Sequence, residues 1–149
     1  MVRNEFTATG LVFNKNGQIL MIKHKKQGKW LPPGGHMNEN ELPCEAAARE
    51  VLEETGISVQ VLSSVPSLDL LENTARELPL PLRIICADEG AGLHNHIDFL
   101  YLCRAVDSDI TPQEAEVDDI RWFNPNEALD LDTYEDVKKS IKAALILMK

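Results

Sequence analysis

Apolar and polar positions change their period several times along this chain, and each change marks an element. Residues 7–13 (TATGLVF) and 18–23 (QILMIK) are strand-length apolar runs, and Lys15-Asn16-Gly17 between them predicts a hairpin turn. Gly28 and then Pro32-Pro33-Gly34-Gly35 follow, in a loop that no regular element is expected to absorb. From Leu42 to Thr55 the period is helical, with Pro43 in the first turn and Gly56 at the end. Residues 57–65 alternate as a strand, and 67–81 form a polar, Pro-containing connection with room for a short helix. Residues 82–87 and 96–104 read as an antiparallel pair around Glu89-Gly90-Ala91-Gly92. A last strand covers 117–123, Asn124-Pro125 opens a short helix, and 133–148 is a longer amphipathic one. Strands mixed with helices, without strict βαβ alternation, predict an α+β fold or mixed-sheet sandwich.

The helix at 42–55 carries the first candidate chemistry. On a wheel advancing about 100° per residue, Glu53 and Glu54 fall within about 60° of Glu50. Ala46 and Ala47 lie on that same side, while Cys44, Ala48, Val51, Leu52 and Thr55 form the expected core face. Three carboxylates so close repel one another, and the helix C-terminus disfavours them further. A divalent cation with oxygen preferences removes that cost. The alternative is a solvated acidic face, with Arg49 pairing to Glu45 or Glu53 or steadying Glu50.

The surrounding sequence separates these alternatives. Residues 35–57 read GHMNENELPCEAAAREVLEETGI. Gly35, Glu41, Arg49, Glu50, Val51, Glu53, Glu54, Gly56 and Ile57 fill every fixed position of a pattern that resembles the Nudix hydrolase signature. Trp30-Leu31-Pro32-Pro33-Gly34-Gly35 looks like the usual lead-in to it, with one extra proline. The order of elements and the late Arg121-Trp122-Phe123 also fit that family, so residues 1–149 are expected to be one Nudix domain, an α/β/α sandwich with a mixed sheet between helices.

The resemblance implies an enzyme that cleaves a diphosphate linkage in a nucleoside diphosphate derivative, with water as nucleophile and Mg²⁺, or Mn²⁺ in its place, as cofactor. It makes Glu50, Glu53 and Glu54 metal ligands, together with the backbone carbonyl of Gly35. Arg49 orients the catalytic carboxylate, as its rigid fork of donors suits it to do. Glu41 holds the metal's waters or braces the turn, and Gly34 and Gly35 admit close backbone approach. The general base is Glu50 or Glu53, or an acid on a distant loop: Glu116, Glu114 or Glu89. Glu116, six residues before Trp122, stands where the family often has an acid approaching the metal.

Some positions depart from the family. Asn38 and Asn40 replace a Glu and a Gly that relatives commonly carry before Glu41, although Asn tolerates the left-handed turn. Glu72 stands where ADP-ribose hydrolases often have Pro, and Asn73, Thr74 and Ala75 do not supply the Tyr of dinucleoside polyphosphate hydrolases. The expected substrate therefore defaults to a nucleoside triphosphate or a related small diphosphate. Two other activities on this fold compete: a nucleotide-sensing module without turnover, and an isomerase of the isopentenyl diphosphate type. The second needs a catalytic Cys, and Cys44, Cys86 and Cys103 all fall on expected core faces or within strands.

Outside the signature, Lys23, Lys25, Lys26 and Lys29 precede the glycine-rich loop, with Lys23 the best phosphate-steering candidate and a lysine-bearing edge strand the alternative. His94 and His96 are candidates for metal binding or titration near neutrality, against a reading as turn surface and strand start. Trp30, Phe13, Tyr101 and Phe99 are candidates for stacking on a base, although most are expected in the core.

Charge and length then set bounds. The 149 residues suit one domain, which at this size buries about two-thirds of its unfolded surface. The net charge of −9 argues against a nucleic-acid polymer as partner, since that needs positive charge to displace counterions. Two acidic segments account for it: 35–57 with six acids and one Arg, and 107–119 with six acids and no Lys or Arg. No apolar run is long enough to span a bilayer and the start lacks a secretory h-region, so no membrane partner is expected. Three scattered cysteines suggest a reduced, cytoplasmic setting.

Overall fold

The first apolar run extends toward the N-terminus to form β1, Arg3–Phe13, and the second forms β2, Ile19–His24. Asn14 Oδ1 builds the turn between them by accepting from the backbone N–H groups of Asn16 and Gln18. The computed structural model describes residues 1–69, 71–72, 75–111 and 117–148, with backbone alone at 71–72.

β1 and β2 pair only at the turn, Phe13 opposite Ile19, and then diverge. The glycine- and proline-rich segment expected to be irregular fills the gap. Trp30–Leu31 (β3) pairs with β2, and Gly34–His36 (β4) pairs antiparallel with Thr7 to Thr9 of β1. Gly10 N–H donates to Pro33 O at 2.9 Å and closes the seam. Two short pairings are enough for backbone groups that would otherwise be buried without partners.

The helix α1, Pro43–Thr55, follows; Glu45 caps its start through the Leu42 N–H, and Gly56 ends it at φ 77°. β5 is Val59–Leu62, and the uncertain connection holds a short hairpin, β6 (Leu71–Glu72) with β7 (Ala75–Arg76), in place of a short helix among the described residues. β8 (Arg83–Asp88) and β9 (His94–Ala105) form the expected antiparallel pair. β10 (Val117–Phe123), α2 (Pro125–Leu129) and α3 (Glu135–Leu147) complete the chain.

The sheet runs β10-β2-β1-β9-β5, with β3, β4 and β8 attached to β2, β1 and β9. β1 and β9 are parallel along their whole length, from Arg3–His94 to Phe13–Arg104. β2 is therefore an interior strand between β1 and β10, so its one lysine, Lys23, does not guard an edge. One face packs Ala8, Val12, Leu20 and Tyr101 against Ala46, Ala47 and Val51 of α1. A Cβ on Gly10 would lie 2.7 Å from Val51 Cγ2, so the strand is bare where the helix crosses it. The other face packs Leu11, Phe13, Met21 and Leu102 against Ala128, Ile141 and Ala144 of the later helices. A fully buried Ile such as Ile141 contributes about 1.5–3 kcal/mol to docking α3. The result is a mixed sheet between helices, an α+β fold. No helix among the described residues is long and apolar enough to cross a membrane.

Candidate functional site

The buried arc of α1 is Ala46, Ala47, Val51, Glu54 and Thr55. This corrects the expected core face: Leu52 is 43% exposed and Glu54 only 8%. The helix is rotated so that Glu50 and Glu54 face the sheet, where β4 offers polar partners, while Glu53 stays half-exposed. Gly34 N–H donates to Glu54 Oε1 at 2.8 Å. A Cβ on Gly35 would fall 2.7 Å from the Glu50 carboxylate, so only glycine lets strand and carboxylate come this close.

Arg49 organises the remaining acids. Its Nε donates to Glu41 Oε2 at 2.7 Å and its Nη2 to Glu41 Oε1 at 3.0 Å and to the His36 carbonyl at 2.9 Å. Its Nη1 donates to Glu50 Oε1 at 2.9 Å and Glu53 Oε2 at 3.1 Å. Glu41 pushes the Arg49 pKa further up, which keeps the guanidinium charged. Arg49 in turn holds the Glu41 carboxyl below the usual range, and the Asn38 N–H adds to this. Asn40 takes the left-handed conformation at φ 64°, as the turn expected before Glu41 requires. Glu41 touches Arg49 and the turn, which makes it the brace of the group.

Glu50, Glu53 and Glu54 line a cleft of about 920 Å³, with Gly34 and Gly35 on its rim. Lys25 and Lys26 also line it, whereas Lys23 does not. Side chains alternate along β2, so Lys23 projects from the face opposite Ile22 and His24, which do reach the cleft. Lys29 pairs with Asp132 at 2.8 Å and anchors the loop to the segment before α3. Glu89 reaches the cleft, but Glu114 and Glu116 lie outside the described residues. Among the aromatics, Phe13 and Tyr101 are buried core, Phe99 packs beside α1, and Trp30 meets Phe123 edge-on at 5.0 Å.

Of the polar β9 residues, Asp98 and His96 line the cleft and His94 does not; Asp98 was not singled out in the sequence. Asp98 accepts from the hydroxyls of Thr7 and Thr9, both at 2.8 Å, and its burial pushes the carboxyl above its usual range. His94 lies in β9 rather than in the turn, so the strand starts two residues before His96, and both histidines are on the same face as Asp98. The available signal was His94, His96 and Asp98 at every second position of a strand that continues into buried Leu100 and Leu102. Polar residues on a face that should be core mark an opening there.

The chain is 29% identical over 119 residues to a "Probable DHNTP pyrophosphohydrolase" of Lactococcus lactis, covering 80% of this chain and 62% of that protein. It is 40% identical over 55 residues to a "Putative 8-oxo-dGTP diphosphatase" of Bacillus subtilis, 37% of each. The matched part is thus less than two thirds of either relative's length. A crystal structure of a Nudix family hydrolase from Clostridium perfringens superposes with a TM-score of 0.83 at 29% identity, covering 97% of this chain and 98% of that one. The NUDIX domain family matches residues 4–145, and the chain therefore belongs to the Nudix hydrolases.

Proposed function

We propose that residues 1–149 form one Nudix domain that hydrolyses a diphosphate linkage in a nucleoside triphosphate or related nucleotide, with Mg²⁺ as cofactor and Mn²⁺ as a substitute. The observation that carries this is the placing of Glu50, Glu53 and Glu54 on one wall of a cleft, against Gly35 and under the fork of Arg49. The donor set fits a hard divalent ion, since three carboxylates and the Gly35 carbonyl offer only oxygen. When bound, the ion supplies positive charge against phosphate oxygens and acidifies a water.

The chain's own residues do the rest. Arg49 fixes the rotamers of Glu50 and Glu53, and Glu41 fixes Arg49. Proton acceptance from water falls to Glu50 or Glu53, which both face the cleft. Lys25 and Lys26 take over the phosphate-steering role expected of Lys23. Asp98, between Thr7 and Thr9 on the cleft floor, offers an acceptor to an N–H of the base, while Leu11, Ile85 and Leu100 supply apolar contact. Glu116 remains part of the proposal as a fourth acid; Glu116→Gln is expected to lower kcat by orders of magnitude in a folded protein, and normal turnover removes it.

The isomerase alternative lacks its nucleophile. None of the three cysteines lines the cleft, and burial pushes the Cys103 thiol up to about 12. All three are free, as the proposed cytoplasmic setting requires. The test is incubation with Mg²⁺ and a panel of nucleoside triphosphates and nucleotide diphosphate derivatives, with chromatography of the products. Pyrophosphate and a nucleoside monophosphate from one triphosphate are expected. Tight binding of one compound without hydrolysis of any would establish the sensing module instead.

A further inference from the structure

We propose that Glu5, His94 and His96 form a second metal site, for a transition metal of the Zn²⁺ type, with ligands separate from the helix carboxylates. The parallel register of β1 and β9 sets Glu5 directly beside His96, with His94 one step along the same face. His94 Nε2 lies 3.1 Å from Glu5 Oε1, and His96 Nε2 lies 3.8 Å from Glu5 Oε2. One ligand atom from each of the three residues falls within 4.8 Å of the others. A tetrahedral ion with bonds of about 2.0–2.1 Å needs ligand atoms about 3.3 Å apart, so the cluster is close to binding distance already.

Two features point to a ligand rather than to a packed group of polar side chains. The Nε2 atoms of both histidines are closed off from solvent and meet the Glu5 carboxylate at 3.1 and 3.8 Å without hydrogen-bond geometry among the described residues. Buried polar atoms are rarely left in that state, and a bound ion satisfies both at once. Supporting contacts are also present. His36 Nε2 contacts Glu5 Oε2 at 2.6 Å and so orients that carboxylate, and Glu89 Oε1 stands 3.7 Å from His96 Nδ1, a carboxylate beside the histidine's other ring nitrogen.

The chemistry selects the ion. Two imidazoles and one carboxylate are the donors of open Zn²⁺ sites, whereas Mg²⁺ and Ca²⁺ prefer oxygen throughout. Arg3 also pairs with Glu5, but its side chain is 76% exposed and gives way at small cost. His36, Glu89 and His96 line the cleft that contains the acid helix. An ion held by these residues would border that cleft through His96.

The test is titration of the chelator-stripped 149-residue chain with Zn²⁺ in excess Mg²⁺, against a chromophoric competitor. One Zn²⁺ per chain is expected. The double variant His94→Ala/His96→Ala should weaken binding by at least about 100-fold, since lost supporting contacts alone account for 10–100-fold, and His36→Ala by about tenfold. Glu53→Gln/Glu54→Gln should leave it within about twofold, which separates this site from the helix carboxylates. Should the double histidine variant not fold, Co²⁺ added to the unaltered protein should give the visible absorption of a four-coordinate, nitrogen-ligated ion. No saturable Zn²⁺ uptake, or uptake abolished by the glutamate variant and kept by the histidine variant, overturns the site.

Discussion

Arg49 grips Glu41 with two parallel hydrogen bonds, of 2.7 and 3.0 Å, across eight residues of chain. The pair ties the turn before α1 to the middle of that helix, and the same guanidinium reaches Glu50 and Glu53. Arg49→Lys keeps the charge but loses the fork, and an ammonium cannot serve all these acceptors at once. A loss of about 1.5–3 kcal/mol in urea unfolding is expected. Turnover should fall by about 10–100-fold because the carboxylates lose their positions. A variant with unchanged kcat would show that Arg49 only stabilises the turn.

Gly35→Ala tests the close approach of strand and carboxylate. Its Cβ would lie 2.7 Å from the Glu50 carboxylate, so Glu50 must move. Circular dichroism should stay that of the parent, while the Mg²⁺ concentration needed for half-maximal turnover rises by about tenfold or more. An unchanged Mg²⁺ requirement would remove Glu50 from the proposed ligand set.

Glu54→Gln separates structure from charge. Gln keeps an oxygen to accept the Gly34 N–H, so the thermal midpoint should change by no more than about 2 °C. The lost negative charge lowers divalent-ion affinity, measured by calorimetry with Mn²⁺. Equal affinity in parent and variant would contradict the role proposed for Glu54.

Asp98 gives the pH prediction. Burial raises its folded-state pKa above the unfolded value, so the folded protein favours the protonated form. The contribution to stability is greatest below the unfolded pKa, near 3.9, and declines as pH rises through the folded pKa. Ionising the carboxylate in this buried setting carries a cost. Asp98→Asn should therefore melt above the parent at pH 7, with the difference shrinking toward zero below about pH 4. Its KM for the best nucleotide should rise, because the acceptor proposed for the base becomes part donor. A variant that melts lower at pH 7 than at pH 4 relative to the parent reverses the sign and rejects the assignment.

The acid helix was legible because its chemistry is local: Glu41, Arg49, Glu50, Glu53, Glu54 and Gly56 act within one turn and one helix, and their spacing is enough. The same holds for Lys15-Asn16-Gly17 in the hairpin turn and for the amphipathic period of α3, whose apolar stripe the structure buries against the sheet. Helical periodicity alone misplaced the core face of α1, since a wheel ranks Leu52 above Glu54. The partner that reversed this order, the Gly34 N–H, is twenty residues away.

The sequence alone determined the family, the acid group and most element boundaries, because capping, turn chemistry and hydrophobic period are properties of neighbouring residues. Tertiary structure decided what depends on pairing between distant strands. It placed β2 inside the sheet, turned Lys23 from the cleft, and brought β4 against β1. Above all, it aligned β1 with β9 in parallel, which joins Glu5 to His94 and His96 and Thr7 to Asp98. Registers of that kind are set by the packing of whole faces, and a shift of one residue would reverse every side chain involved.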